Sequence, residues 1–192
     1  MILVNKIVNS LLQSNTYFVY DSDSKDSIIV DPGSDFEAML EFINNNNLNV
    51  LAVLLTHGHF DHAFSCKNLQ ELGYKVYISE DDEEMCNDNF KNCAILCGVD
   101  FKGFVPDSLI NKADSSLSIG KFNIKILHVP GHTKGGLAFV INNHIFTGDT
   151  LFNNGYGRTD MYGGDDKSIL KSIKMLMNYK NNNYVINVGH DY

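Results

Sequence analysis

Short apolar runs alternate with polar, turn-forming clusters along the whole chain, the rhythm of strands interleaved with helices. Leu3 to Val8, Thr16 to Tyr20 and Ser27 to Val30 predict strands, the third ending at Asp31-Pro32-Gly33. Because that apolar run stops at an acidic residue and a turn, Asp31 is expected at the carboxyl end of its strand, where the sites of α/β proteins collect. Phe36, Met39, Leu40 and Ile43 recur at the spacing of one buried helix face, with Ser34 or Asp35 as the cap and Asn44 to Asn47 as the end. Val50 to Leu55 then predicts a buried strand that gives way, after Thr56, to His57-Gly58-His59-Phe60-Asp61-His62.

Ala63 to Leu72 predicts a helix, Lys75 to Ile78 a strand and Glu80 to Cys86 a short acidic helix. Asn87 to Asn111 carries a weak pattern, with a helical turn around Cys93 to Cys97, and reads either as a lid over a site or as a plain surface excursion. Phe122, Ile124 and Ile126 alternate with Asn123 and Lys125 in a half-buried strand leading into His128-Val129-Pro130-Gly131-His132. Leu137 to Ile141 and Ile145 to Thr147 predict a hairpin around Asn142-Asn143-His144, its second strand running into Gly148-Asp149. Asp165 or Asp166 caps a last helix with Ile169, Leu170, Ile173, Leu176 and Met177 on its buried face. Tyr184 to Val188 is the final strand and delivers Gly189-His190.

Composition narrows the class. With 192 residues, 44% of them hydrophobic, residues 1–192 predict one domain with a sizeable core. A net charge of -8 and a pI near 5.2 argue against a nucleic-acid partner, since that affinity comes from Lys and Arg neutralising phosphates. Asn5, Lys6, Asn9 and Ser10 interrupt the apolar start, so no signal peptide is expected, and no run reaches the roughly 20 residues that span a bilayer. The expectation is a soluble cytoplasmic protein without a membrane partner, in which Cys66, Cys86, Cys93 and Cys97 are free thiols. Nothing in the pattern specifies an oligomeric state.

Three imidazoles and a carboxylate crowded into His57 to His62 point to a bound cation. Residues of metal-ligand type follow strand after strand, at Asp31, at His57 to His62, at His132, at Asp149 and at His190. Of the 7 histidines only His128 and His144 fall outside this set; His128 reads as a structural histidine and His144 as an exposed turn residue. Imidazole and carboxylate suit zinc, iron or manganese, and the number of donors exceeds what a structural zinc needs.

The stretch Thr56 to His62 matches a Thr-His-x-His-x-Asp-His signature. With Pro130-Gly131-His132-Thr133, Thr147-Gly148-Asp149-Thr150 and Gly189-His190 in the same order, it resembles the metallo-β-lactamase superfamily over nearly the whole chain. The resemblance implies an α/β fold, a four-layer αββα sandwich, with two divalent metals (zinc, with iron or manganese as alternatives) in a cleft at one edge. It implies His57, His59 and His132 for the first metal, Asp61, His62 and His190 for the second, Asp149 bridging them, and Asp31 behind the ligands as a supporting carboxylate. Asp61 and Asp149 become the candidate catalytic carboxylates. Two metals about 3.5–4 Å apart lower the pKa of a shared water toward ~7, so the expected reaction is hydrolysis by a bridging hydroxide.

Aspartate rather than cysteine at position 149 distinguishes the chain from the main antibiotic-degrading lactamases and makes it similar to glyoxalase II-like thioesterases, the hydroxyacylglutathione hydrolases. His59 where flavo-diiron reductases have a glutamate, and the absence of a nuclease insertion, set it apart from other branches. Gly157-Arg158-Thr159-Asp160 and Gly163-Gly164-Asp165 are similar to small bacterial members of the glyoxalase II-like group. By that likeness Arg158 would bind the anionic end of a small-molecule acyl thioester. The same run, with His190-Asp191-Tyr192, also resembles persulfide dioxygenases, which hold one iron at the positions of His57, His132 and Asp149. With the sequence ending at Tyr192, the helical domain that completes the thiol pocket in relatives is expected to be lacking. A reading of another class is therefore a metal-binding relative with little or no turnover.

Overall fold

Connection length decides how the strands pair. In the computed structural model, which describes residues 1–191, β1 (Ile2–Val8), β2 (Asn15–Asp21) and β3 (Asp26–Val30) are joined by short turns and pair antiparallel. β4 (Asn49–Leu54), β5 (Val76–Ser79) and β6 (Ser108–Ile110) follow longer crossovers and extend the same sheet in parallel, giving the order β1-β2-β3-β4-β5-β6. The second sheet runs β11-β10-β9-β8-β7, from β7 (Ser116–Ile119), β8 (Phe122–His128), β9 (Leu137–Ile141), β10 (His144–Gly148) and β11 (Val185–Val188). Only its β10–β11 pair is parallel among the described residues, and helix α4 (Asp166–Asn181) makes that crossover.

The central strands bury both faces, which is why their sequences are continuous apolar runs. Val19, Ile28 and Leu54 point to one side and pack with Phe122, Ile124, Phe139 and Phe146 of the second sheet. Their chain neighbours Phe18, Ile29 and Val53 point the other way, onto Met39 and Ile43 of α1 (Phe36–Asn46) and Leu69 of α3 (Cys66–Glu71). On the far side Ala138, Val140 and Ile145 pack against Leu176 of α4. The result is helix, sheet, sheet, helix, the expected αββα sandwich. Each fully buried large side chain in these layers contributes about 1.5–3 kcal/mol.

Several local expectations change. The segment Ala63 to Leu72 is not one helix: α2 (Phe60–Ala63) starts within the histidine cluster and α3 follows a break at Phe64 and Ser65. Ser65 Oγ donates to the carbonyl of Gly33 over 2.5 Å, tying that break to the turn after β3. Asp35 precedes α1 without capping it, because its carboxylate is taken by the backbone N–H and hydroxyl of Ser10. The helical turn expected around Cys93 to Cys97 is a short one. Cys93 stands in a left-handed conformation before the single 3-10 turn Ala94–Cys97. Leu170 faces solvent at 58% exposure, and the buried position beside Ile169 and Leu176 is Ser172, whose hydroxyl donates to the Pro130 carbonyl. His144 opens β10 rather than the turn, half-buried, stacked on Phe146 and bonded to Asn187. β6 and β7 were hidden in polar sequence; they are short and lie at sheet edges. Among the described residues no helix is long and apolar enough to cross a membrane.

Candidate metal centre

The polar residues that follow β3, β4, β8, β10 and β11 meet at one edge of the sandwich. Backbone bonds stitch that edge: Asp31 N–H to Leu54 O, Leu137 N–H to Thr56 O, Asn15 N–H to Gly189 O and Gly189 N–H to Gly148 O. Gly189 is required there by space, since a Cβ at this position would sit 2.1 Å from Oδ1 of Asp149. The sequence-predicted ligands His57, His59, Asp61, His62, His132, Asp149 and His190 are all brought together and all buried.

Hydrogen bonds to the far side of the rings set the tautomers. Thr56 Oγ1 donates to Oδ2 of Asp31 over 2.6 Å, because a carboxylate only accepts, so the hydroxyl's contact with Nδ1 of His57 at 3.0 Å must be accepted from that ring. Nε2 of His57 therefore keeps its lone pair, and it is buried without a hydrogen-bond partner. His132 Nδ1 donates to the carbonyl of Arg158 over 2.7 Å, which aims its Nε2 at Nδ1 of His59, 2.9 Å away. His62 Nδ1 donates to Oδ2 of Asp31 at 3.1 Å, and its Nε2 faces Nε2 of His190 at 3.1 Å.

Two donor groups result. Ring nitrogens of His57, His59 and His132 lie within 4.8 Å of one another, and so do donor atoms of Asp61, His62 and His190. Asp149 stands between the groups, with Oδ1 3.3 Å from His62 Nε2 and Oδ2 3.5 Å from both His132 Nε2 and His190 Nε2. A third grouping of Asp31, His57 and His62 satisfies the same distance condition. Its carboxylate is already occupied by the Thr56 amide, the Thr56 hydroxyl and His62, so Asp31 orients the His62 ring.

The electrostatics fit a cation. Burial, and then His62, push the His57 imidazole far below its ordinary pKa, and burial with His132 pushes His59 down to about 3, so both are neutral and able to bind metal. Burial alone would raise Asp149 and Asp61, but His62 outweighs it and holds both carboxylates ionised. Burial would likewise depress His62, yet Asp61 and Asp149 carry it well above the ordinary range. The two carboxylates thus make the surroundings of His62 strongly negative, an environment that favours positive charge. Nε2 of His57, buried without a hydrogen-bond partner, and the buried carboxylate of Asp149 complete a donor set that a hard or borderline cation suits.

A cavity of about 620 Å³ opens onto the cluster, which is the size of a small-molecule site. His59, Asp61, His132, Asp149 and His190 line its floor, and Leu12, Phe60, Leu96, Phe152 and Met161 line apolar walls. The turn around Cys93 to Cys97 also borders this cavity, so the weakly patterned stretch does reach the site. Arg158 lies at the exposed rim, its guanidinium forked onto Asp160 through two 2.6 Å bonds. Sequence reasoning missed the backbone of Arg158 as the acceptor for His132, and also Ser14, whose hydroxyl donates to the Asp61 carbonyl over 2.8 Å. Neither carries a motif; only chain proximity in space identifies them.

Comparison with known proteins gives the same direction. Hydroxyacylglutathione hydrolase GloC of Haemophilus influenzae is 34% identical over 182 residues, covering 93% of this chain and 85% of that protein. The crystal structure of BLEG-1, a B3 metallo-beta-lactamase, superposes with a TM-score of 0.93 at 31% identity, covering 99% of this chain and 92% of that one. A di-iron-bound crystal structure has a TM-score of 0.81 at 27% identity, with coverages of 98% and 92%. Residues 9–190 match the sequence model of the Metallo-beta-lactamase superfamily. With the fold, the clustered donors and this match in agreement, the chain belongs to the metallo-beta-lactamase superfamily and is a metal-dependent hydrolase.

Proposed function

We propose that this hydrolase cleaves acyl thioesters, of the hydroxyacyl-glutathione kind, with two divalent metals. His57, His59 and His132 would hold the first, Asp61, His62 and His190 the second, and Asp149 would bridge them. When bound, the metals supply Lewis acidity, polarising an acyl carbonyl and lowering the pKa of a water toward ~7.

The chain's own residues position and exclude. Asp61, ionised at the cavity floor, orients the attacking water by accepting its hydrogen bond. The apolar walls at Leu12, Phe60, Phe152 and Met161 remove competing water and take the acyl chain. Arg158 meets the anionic end of the thiol carrier by exchanging Asp160 for a substrate carboxylate.

One observation carries the choice of a thioester. Outside the donor cluster, no imidazole or carboxylic acid is among the described residues that line the cavity, so a leaving group departs without a dedicated proton donor of that kind from them. A thiolate does so readily, its conjugate acid having a pKa near ~8.5. The similarity to GloC supports the same reading.

The test is elemental analysis of protein purified without added metal, followed by assays on a hydroxyacyl-glutathione, a β-lactam and a glutathione persulfide. Two metals per chain with thioester cleavage are expected. One iron per chain with oxygen uptake on the persulfide would replace this reading by a dioxygenase. Loaded protein inert toward all three would sink the proposed activity.

A further inference from the structure

Asp82 lies in the 3-10 helix Glu80–Cys86 after β5, is fully buried, and is not among the residues lining the cavity. Its Oδ2 accepts from the Gly58 amide at 3.1 Å and from the Thr133 hydroxyl at 2.7 Å, while Oδ1 accepts from the Gly135 amide at 2.7 Å. Gly58 stands between His57 and His59, and Thr133 follows His132. One carboxylate therefore joins the two loops that supply the first donor group, and among the described residues its hydrogen-bond partners lie neither in α2, which bears His62, nor in the segment bearing His190.

The chemistry requires an acceptor with no hydrogen of its own. All three partners are donors, and a carboxylate offers about four lone pairs to receive them. An amide of the same shape would turn one N–H₂ toward a donor, breaking the join at one loop. The backbone has been brought close for this purpose: a Cβ at Gly135 would sit 2.7 Å from Cγ and Oδ1 of Asp82. Burying a carboxylate costs free energy, and three donors from two loops offset that penalty only while the loops keep this separation.

We propose that Asp82 is a positioning residue that holds the His57–His59 loop against the His132 loop and so sets metal affinity at the first donor group, not the second. It rests on the assignment of His57, His59 and His132 as ligands under the proposed function. Asp31 performs the corresponding task for His62. Asp82 thus bonds the loops of the first donor group alone, whereas Asp31 bonds His62 directly and reaches His57 through Thr56.

Zinc titration of single-site backgrounds tests this. His190→Ala leaves the first donor group intact, and His59→Ala leaves the second. Asp82→Asn is expected to weaken zinc binding roughly 10–100-fold in the His190→Ala background, the usual effect of losing a partner behind a ligand, and to leave the His59→Ala background unchanged. Thr133→Val, which removes one donor and keeps the carboxylate, should give a smaller loss in the same background only. Circular dichroism checks that each variant is folded. Equal weakening in both backgrounds, or none in either, overturns the proposal, and if Asp82→Asn does not fold, Thr133→Val decides by the same criterion. A folded protein with His57, His59 and His132 intact that takes no zinc at that group would instead overturn the ligand assignment.

Discussion

Oδ2 of Asp31 lies 3.1 Å from Nδ1 of His62 and 2.6 Å from the hydroxyl of Thr56, which in turn touches His57. One carboxylate thus aims a ring of each donor group. Asp31 is itself held in a left-handed conformation at φ 52, uncommon for a residue with a Cβ. Replacing it by asparagine keeps the shape but presents N–H₂ to groups that donate. Asp31→Asn is expected to lower metal affinity by roughly 10–100-fold and activity with it, measured by competition with a chromophoric chelator.

The metal-free protein should have a bell-shaped dependence of stability on pH. His57 and His59 are neutral when folded, His59 with its pKa pushed down to about 3 against about 6.5 when unfolded. Below ~6.5 the unfolded chain therefore binds more protons, and stability falls as pH drops toward 3. His62 acts in the opposite sense, since its folded pKa is raised, so its contribution is complete below ~6.5 and is lost as pH rises through the folded value. Thermal melts over roughly pH 4 to 9 should peak near pH 6.5 without metal, and the alkaline limb should flatten once metal replaces the proton on His62. A metal-free protein equally stable across that range would contradict the charge assignment.

Gly189→Ala introduces a methyl group where Oδ1 of Asp149 stands 2.1 Å away. Asp149 must move, and it contacts His132 on one side and His62 and His190 on the other. Both metals should be lost or weakened together, and kcat/KM should fall by about 100-fold or more, the cost of an ångström-scale misplacement at a reacting centre. Metal content and activity of the purified variant are the measurements.

The four cysteines should differ sharply in reactivity. Burial pushes the Cys66 thiol up and Cys86 up to about 12, while Cys97 is exposed at the cavity border. Iodoacetamide is expected to label Cys97 first, identified by peptide mapping, with the other three protected until the protein unfolds. A bulky maleimide at the same position should lower kcat/KM by narrowing the cavity.

Arg158→Ala separates binding from chemistry. Its guanidinium is exposed and already shared with Asp160, so the loss should be modest: KM for an anionic thioester up about tenfold, kcat kept, and a neutral thioester unaffected. A drop in kcat for both substrates would instead point to the carbonyl of Arg158, which orients His132.

The longer strands were legible because each carries its apolar run between turn residues; β3, β4, β8 and β9 fall within a residue or two of expectation, whereas the short edge strands β6 and β7 carry no such run. The helix after the histidine cluster was not, since its break depends on Ser65 finding the Gly33 carbonyl, a partner set by how β3 and β4 lie side by side. Leu170 has the spacing of a core position but sits just off the contact stripe of α4, a distinction that only the angle between helix and sheet makes.

For the site, the sequence by itself determined the donor types and their order along the chain. The cluster His57 to His62, then His132, Asp149 and His190, is a covalent fact that needs no fold to be read. Tertiary structure alone decided which donors share a cation-sized space and which carboxylate stands between them. It also decided which way the rings of His57, His132 and His62 are turned, because Thr56, the Arg158 carbonyl and Asp31 bond Nδ1 of each. Hydrogen bonds of that kind join residues far apart in the chain, and no local pattern records them. For the same reason Asp82, one acid in an acidic run, is distinguished from its neighbours only by the two loops that close around it.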